Sequence, residues 1–106
     1  MITAEQIRAG KALAETAGRE MYAQIGERDA CGFGWVDVFV DRTNSKQAKE
    51  LIAAGFRKDY KPKCLSMWDP AGIPTQSISV KEAGAQAYAE FLRQLGFKAY
   101  AGSRMD

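Results

Sequence analysis

The run Cys31-Gly32-Phe33-Gly34-Trp35-Val36-Asp37-Val38-Phe39-Val40 is β-branched and aromatic, and it is apolar on both sides. Side chains alternate along a strand, so Val36, Val38 and Val40 share one face while Trp35 and Phe39 flank Asp37 on the other. A strand wetted on one side alternates apolar with polar residues. This pattern therefore predicts a central strand covered on both faces. Asp37 is the exception. A buried carboxylate needs a basic or hydrogen-bonding partner, for which Lys98 and Arg57 are candidates, or else a partly wet position.

Downstream, Asn44 with Gln47 forms a capping box, and Ala48, Leu51, Ile52 and Gly55 recur at helical spacing, so a short helix is expected to end at Gly55. Phe56–Tyr60 and Cys64–Trp68 then flank Lys61-Pro62-Lys63, the turn chemistry of a hairpin at a sheet edge. Asp69–Pro74 is a loop, and Thr75–Ile78 is expected to add a short extended piece. Ser79 with Glu82 caps a further helix, with Val80, Gly84, Ala87, Phe91 and Leu95 as its stripe, running to Gly96. Phe97–Ala101 is the last strand. The joints Leu51–Tyr60 and Phe91–Tyr100 are alike: helix, glycine, phenylalanine, basic residue, tyrosine.

Upstream, Thr3 and Gln6 make a capping box that opens a helix reaching about Ile25, with apolar residues at Ile7, Ala14, Met21 and Ile25. Gly10, Ala14, Ala17 and Gly18 form a strip of small residues on it. Either another element packs closely there, or the glycines loosen or bend a surface helix. Gly26 and the charged Glu27-Arg28-Asp29 end the periodicity.

Without the first helix, the order is strand, helix, strand, strand, helix, strand. That order predicts an α+β, ferredoxin-like (βαββαβ) antiparallel sheet with an added N-terminal helix. The chain is expected to form one domain over residues 1–106, with the helix in 1–26 and the sheet-and-helix core in 31–106. If the valines face the helices, Trp35, Phe39, Trp68 and Tyr100 lie on the other side, an apolar patch larger than monomers usually leave bare. Three covers are available: the N-terminal helix, a second copy of the chain, or an unpaired nucleic acid strand.

Composition removes several function classes. The chain has no histidine and only two cysteines, Cys31 and Cys64. Acid-base hydrolysis, which usually relies on imidazole, and a Cys/His structural zinc site thereby lose most of their weight, and no metal or other cofactor is expected. Cys31, beside two glycines, lacks an imidazole to activate it. Asp37 and Asp41 do not form a persuasive carboxylate pair, and Gly32-Phe33-Gly34 precedes a strand instead of opening a helix as a phosphate loop does. An enzyme is not expected. No stretch is long and apolar enough for a membrane span, and Met1–Gln6 lacks a cationic lead before an apolar run, so a cytoplasmic chain with reduced cysteines is expected, a Cys31–Cys64 disulfide being the alternative in an oxidising compartment. The formal charge is +2, but Arg42–Lys63 holds seven basic residues against Glu50 and Asp59, a local +5 that leaves −3 elsewhere. One region can therefore present a basic face, or the charges serve only to keep a helix and a hairpin wet.

Two binding functions follow. In the first, the sheet is closed by the N-terminal helix or in a homodimer, and the protein binds another protein, with contacts in loops such as Asp69–Ser77, which includes Gln76. In the second, bases stack on the rings while Arg57, Lys58, Lys61 and Lys63 meet phosphates of single-stranded nucleic acid. The basic-Gly-aromatic signature of RNA-recognition modules is absent, since Cys31-Gly32-Phe33-Gly34-Trp35 has no leading cation. Arg104 and Asp106, past the last expected strand, either fray or pair within the fold or with a partner.

Cys31–Val36, Gln76-Ser77 ahead of Lys81-Glu82-Ala83-Gly84-Ala85, and the ending Ala99–Asp106 resemble small, mostly uncharacterised proteins encoded by tailed bacteriophages and prophages. The resemblance covers residues 31–106. It implies a bacterial cytoplasm and an accessory protein that binds a host or phage protein, as an inhibitor of a host enzyme or defence complex. It carries over no catalytic residue.

Overall fold

In the computed structural model, which describes residues 1–26 and 28–106, the run Gly32–Phe39 forms strand β1. On one side it pairs with β3 (Cys64–Trp68) and on the other with β4 (Lys98–Met105). The two-residue β2 (Arg57–Lys58) pairs only with β3, so the sheet is antiparallel throughout with the order β2-β3-β1-β4. The strand at Cys64–Trp68 matches expectation. β2 is shorter than Phe56–Tyr60 because the Asp59 carboxylate folds back to accept the Lys61 N–H at 3.1 Å, starting the turn.

β4 runs four residues beyond the expected Ala101. Gly102 stands opposite Trp35, where a Cβ would come 2.4 Å from the indole nitrogen, so only glycine lets the ring lie over that strand. The end of the chain does not fray. Arg104 pairs with Phe33 in the ladder, and the Asp106 N–H donates to the Cys31 carbonyl at 3.0 Å.

The helices start where side-chain oxygens reach free N–H groups, which is not always where the capping pattern put them. For α3 (Lys46–Ala53) the Ser45 hydroxyl accepts from Ala48 N–H, in place of the expected Asn44. Gln47 instead uses its amide on the Ile2 backbone, accepting from its N–H at 3.3 Å and donating to its carbonyl at 2.8 Å. For α4 (Ile78–Gln94) the cap is Ser77, two residues before the expected Ser79. The cause is tertiary: the Asp29 carboxylate accepts both the Ser77 hydroxyl (2.7 Å) and the Ser79 N–H (2.8 Å). These bonds, the Ser77 hydroxyl first, hold the Asp29 carboxyl down at about 2. Of the expected extended piece at Thr75–Ile78, only a single bridge between Ser77 and Cys31 forms.

The two similar joints share one geometry. Phe56 N–H donates to Leu51 carbonyl and Phe97 N–H to Leu92 carbonyl, each at 3.0 Å, across Gly55 (φ 113°) and Gly96 (φ 103°). This is the six-to-one bond of a Schellman stop, which needs a left-handed residue.

The N-terminal capping box forms as expected, but the helix divides at Ala9 into α1 (Ala4–Arg8) and α2 (Gly10–Ile25). In the break after α2, Glu27 lies outside the described residues. α1 docks on α3, with Ala4 N–H donating to Glu50 at 2.8 Å and Arg8 to the Ala53 carbonyl at 3.0 Å. α2 packs along α4, and here the small-residue strip acts as a close-contact surface. A Cβ on Gly10 would meet the rings of Phe91 and Tyr88 at 2.7–2.8 Å, and one on Gly84 would stand 2.7 Å from the Ala71 Cβ and 3.3 Å from the Ala14 carbonyl. The buried Tyr88 hydroxyl donates to the Ile7 carbonyl at 2.8 Å, fixing the N-terminal helices to α4.

The core lies between the sheet and these helices. Val36, Val38, Leu65 and Ala99 from the strands meet Leu51, Phe56, Ala85, Tyr88, Ala89 and Leu92, all essentially inaccessible. α4 crosses β1 and β4 so closely that a Cβ on Gly34 would sit 2.8 Å from the Lys81 backbone. All the helices are thus engaged on one side of the sheet. The expectation that the N-terminal helix closes the other side is overturned.

Candidate functional site

Strand register assigns the helix-free face. Phe33, Trp35, Asp37 and Phe39 of β1 stand opposite Arg104, Gly102, Tyr100 and Lys98 of β4, and Trp68, Ser66 and Cys64 of β3 complete the rows. Arg57, opposite Ser66, joins from the edge.

The rings cover one another in part. Trp35 and Trp68 stack across the β1–β3 pair with centroids 4.8 Å apart, Phe33 meets Trp68 edge-on at 5.8 Å, and Phe39 meets Tyr100 edge-on at 6.0 Å. Trp35 is half-buried, held between Trp68 and the glycine floor at Gly102. The expectation that Trp35 and Phe39 lie beneath another element is not met within the chain, where only cross-strand packing shields them in part. Trp68 (50% exposed), Tyr100 (54%) and Phe39 (37%) still present ring surface to solvent. The cations of Lys81 and Arg104 both approach the Phe33 ring, at 5.6 and 5.5 Å.

Asp37 sits between the two ring groups. Its partner is neither Lys98 nor Arg57 but Lys61, whose Nζ donates to Asp37 Oδ2 at 2.8 Å and also lies 3.4 Å from Asp59 Oδ2. Lys98 and Arg57 share the face, but the β2–β3 turn swings Lys61 over Asp37 first. Trp35 Nε1 also donates to Asp37 Oδ2 at 3.3 Å. The hydrogen bond to Asp37 outweighs burial and lifts the Lys61 ammonium above the ordinary lysine range. Burial pushes Asp59 upward, but the Lys61 N–H and charge win, and its carboxyl lies below the usual range.

Asp37, Asp59 and Cys64 each bring one ligand atom within 4.8 Å of the others. Lys61 already takes the position of a cation between the carboxylates. Burial, and then the Asp37 charge, push the Cys64 thiol up to about 11, so it stays protonated at neutral pH. Cys31 is exposed at the end of β1.

The structure brings Trp35, Phe39, Arg57, Lys61, Trp68, Tyr100 and Arg104 onto one face and leaves three other expected residues outside it. Lys58 stands opposite the buried Leu65 and so shares the helix-side row. Lys63 is in the turn, in left-handed conformation (φ 55°), and Gln76 is exposed in the loop before α4. Phe33 and Lys98 belong to the face although neither was singled out as a binding residue. Two-residue alternation from Trp35 and Tyr100 was enough to find them.

Among the described residues, no helix is long and apolar enough to cross a membrane. No protein-family model, curated protein or solved structure matches the chain.

Proposed function

We propose that the helix-free face binds single-stranded nucleic acid, and that the chain is a ferredoxin-like split βαβ domain acting by binding and not by catalysis. One observation carries this. The strand side chains on that face are rings, cations, Asp37 and small residues, with no aliphatic chain among them. Exposed rings accept stacked bases, and Arg57, Lys98 and Arg104, which form no ion pair among the described residues, are available for phosphates. Lys61 offsets one of the two carboxylate charges, Asp37 and Asp59, that would otherwise both repel the strand.

A second copy laid face to face would bury Arg57, Lys98 and Arg104, which form no ion pair among the described residues, and that desolvation disfavours such a cover. Docking of a host or phage protein is the competing proposal. It rests on the tryptophan, tyrosine and arginine composition, which is that of binding hot spots. On the sequence resemblance to phage and prophage proteins, a bacterial cytoplasm is the setting proposed for either activity.

The test is titration of the protein with oligo-uridine and oligo-thymidine, read by tryptophan emission. Binding should quench emission, with log affinity falling against log salt at a slope of about −2 for roughly three phosphate contacts. Tyr100→Ala should weaken binding by about 5- to 100-fold, the worth of one stacked base. Unchanged emission and no salt-sensitive affinity would remove nucleic acid and leave the protein partner.

A further inference from the structure

The two edges of the sheet are built differently. β2 is two residues long, both charged, and Pro62 follows it, which are devices that discourage pairing with another chain. β4 also carries charge, at Lys98 and Arg104, but it differs in length and in backbone. It is eight residues long, its register with β1 runs without a bulge, it contains no proline, and Ala101-Gly102-Ser103 lies at its centre. A recess of about 160 Å³ lined by Glu82, Gln86 and Ala101–Ser103 lies beside it, so the edge can be reached.

The phase of the ladder shows which groups point away from β1; of these, the Ala99 carbonyl is already taken, by Arg93. Asp106 N–H bonds to Cys31 carbonyl, and hydrogen-bonded pairs alternate along an antiparallel ladder, so the even-numbered residues of β4 bond with β1. The N–H and C=O of Ala99, Ala101, Ser103 and Met105 therefore point off the edge. Arg93 donating to the Ala99 carbonyl at 2.8 Å, from outside the sheet, agrees with this phase.

We propose that this edge pairs antiparallel with β4 of a second copy, with Gly102 on the two-fold axis, joining two sheets into one. Charge and ladder length together select the register, since an axis at Ser103 would leave Lys98 and Ala99 unpaired. With Gly102 on the axis, Lys98 faces Asp106 of the second copy and Tyr100 faces Arg104 of the second copy, each pair occurring twice and on the helix-free face. Moving the axis to Ala101 sets Lys98 against Arg104 of the second copy, a like-charge pair. Ala101 and Ser103 exchange backbone bonds across the axis in the favoured register, and both carry outward groups. α4 overlies β1 and β4, so strand spacing puts the two α4 axes about 10 Å apart, a packing distance for helices. The dimer is independent of the nucleic acid proposal and is measured without nucleic acid. If both hold, the two ring-and-cation faces form one continuous platform.

Sedimentation equilibrium of the full chain should show a concentration-dependent dimer. Ser103→Pro removes an outward N–H without breaking a bond to β1 and should weaken the dimer at least about tenfold. Asp106→Lys should also weaken it, and Lys98→Glu combined with Asp106→Lys should restore it. A monomer at every concentration would overturn the proposal, as would a dimer indifferent to Ser103→Pro. Absence of rescue in the double variant would overturn the register.

Discussion

The two faces of β1 use the same backbone for opposite purposes. On the helix side, Gly32, Gly34, Val36 and Val38 are small or β-branched and buried, so α4 can approach within contact of the backbone itself. On the other side, Phe33, Trp35, Asp37 and Phe39 are large or charged and are met by cross-strand rings, by Lys61 from the β2–β3 turn and, at Phe33, by the Lys81 ammonium. Stability is concentrated on the first face. Surface able to meet a partner is concentrated on the second.

Substitutions can test that division. The largest effect is expected from Gly34→Val, which drives a side chain into the Lys81 backbone. A loss of about 3 kcal/mol or more in a denaturant or thermal melt is expected, because backbone cannot yield as a flexible side chain does. Next is Lys61→Met, which strands Asp37, whose Oδ1 is already buried without a hydrogen-bond partner among the described residues. It should cost about 2 kcal/mol, below the range for fully buried pairs because Lys61 is one-third exposed. Asp37→Asn should cost less, since the freed ammonium can turn to water. Equal losses from the two would show that the pair is not asymmetric.

Tyr88→Phe leaves the Ile7 carbonyl without its hydroxyl donor in the core and should cost about 1–2 kcal/mol. On the open face, Trp68→Ala should cost less stability than Gly34→Val while weakening oligonucleotide binding. Reversal of that order would break the comparison. The smallest effect is acid sensitivity. Asp29 titrates at about 2 in the fold against 3.8 in the unfolded chain, so its contribution is full above pH 3.8 and is lost as pH falls toward 2. Asp29→Asn should therefore lower the melting temperature at neutral pH and make little difference near pH 2.

Much of the fold was legible because it depends on local chemistry. The period of two in Trp35–Val40, the glycine stops at Gly55 and Gly96, and the Thr3–Gln6 box each involve groups a few residues apart, and each formed. Two of the errors share one cause. Ser79 lost its cap role to Ser77 because Asp29, 50 positions away, holds both the Ser77 hydroxyl and the Ser79 N–H, and Gln47 was drawn to the Ile2 backbone from 45 positions away. The candidate site follows the same rule. Alternation identified which rings share a face, but Lys61 as the partner of Asp37 required the path of a turn.

The sequence by itself determined the alternation of β1, the α+β order and the supply of rings and cations, since these rest on spacing and side-chain type. Only the tertiary structure decided that the N-terminal helices pack with the others on one side, leaving the ring-bearing face open. That choice turns on shape: the small-residue strip of α2 fits against α4 and the loop at Ala71 at a distance only glycine and alanine allow, whereas the ring-covered face offers no such close fit.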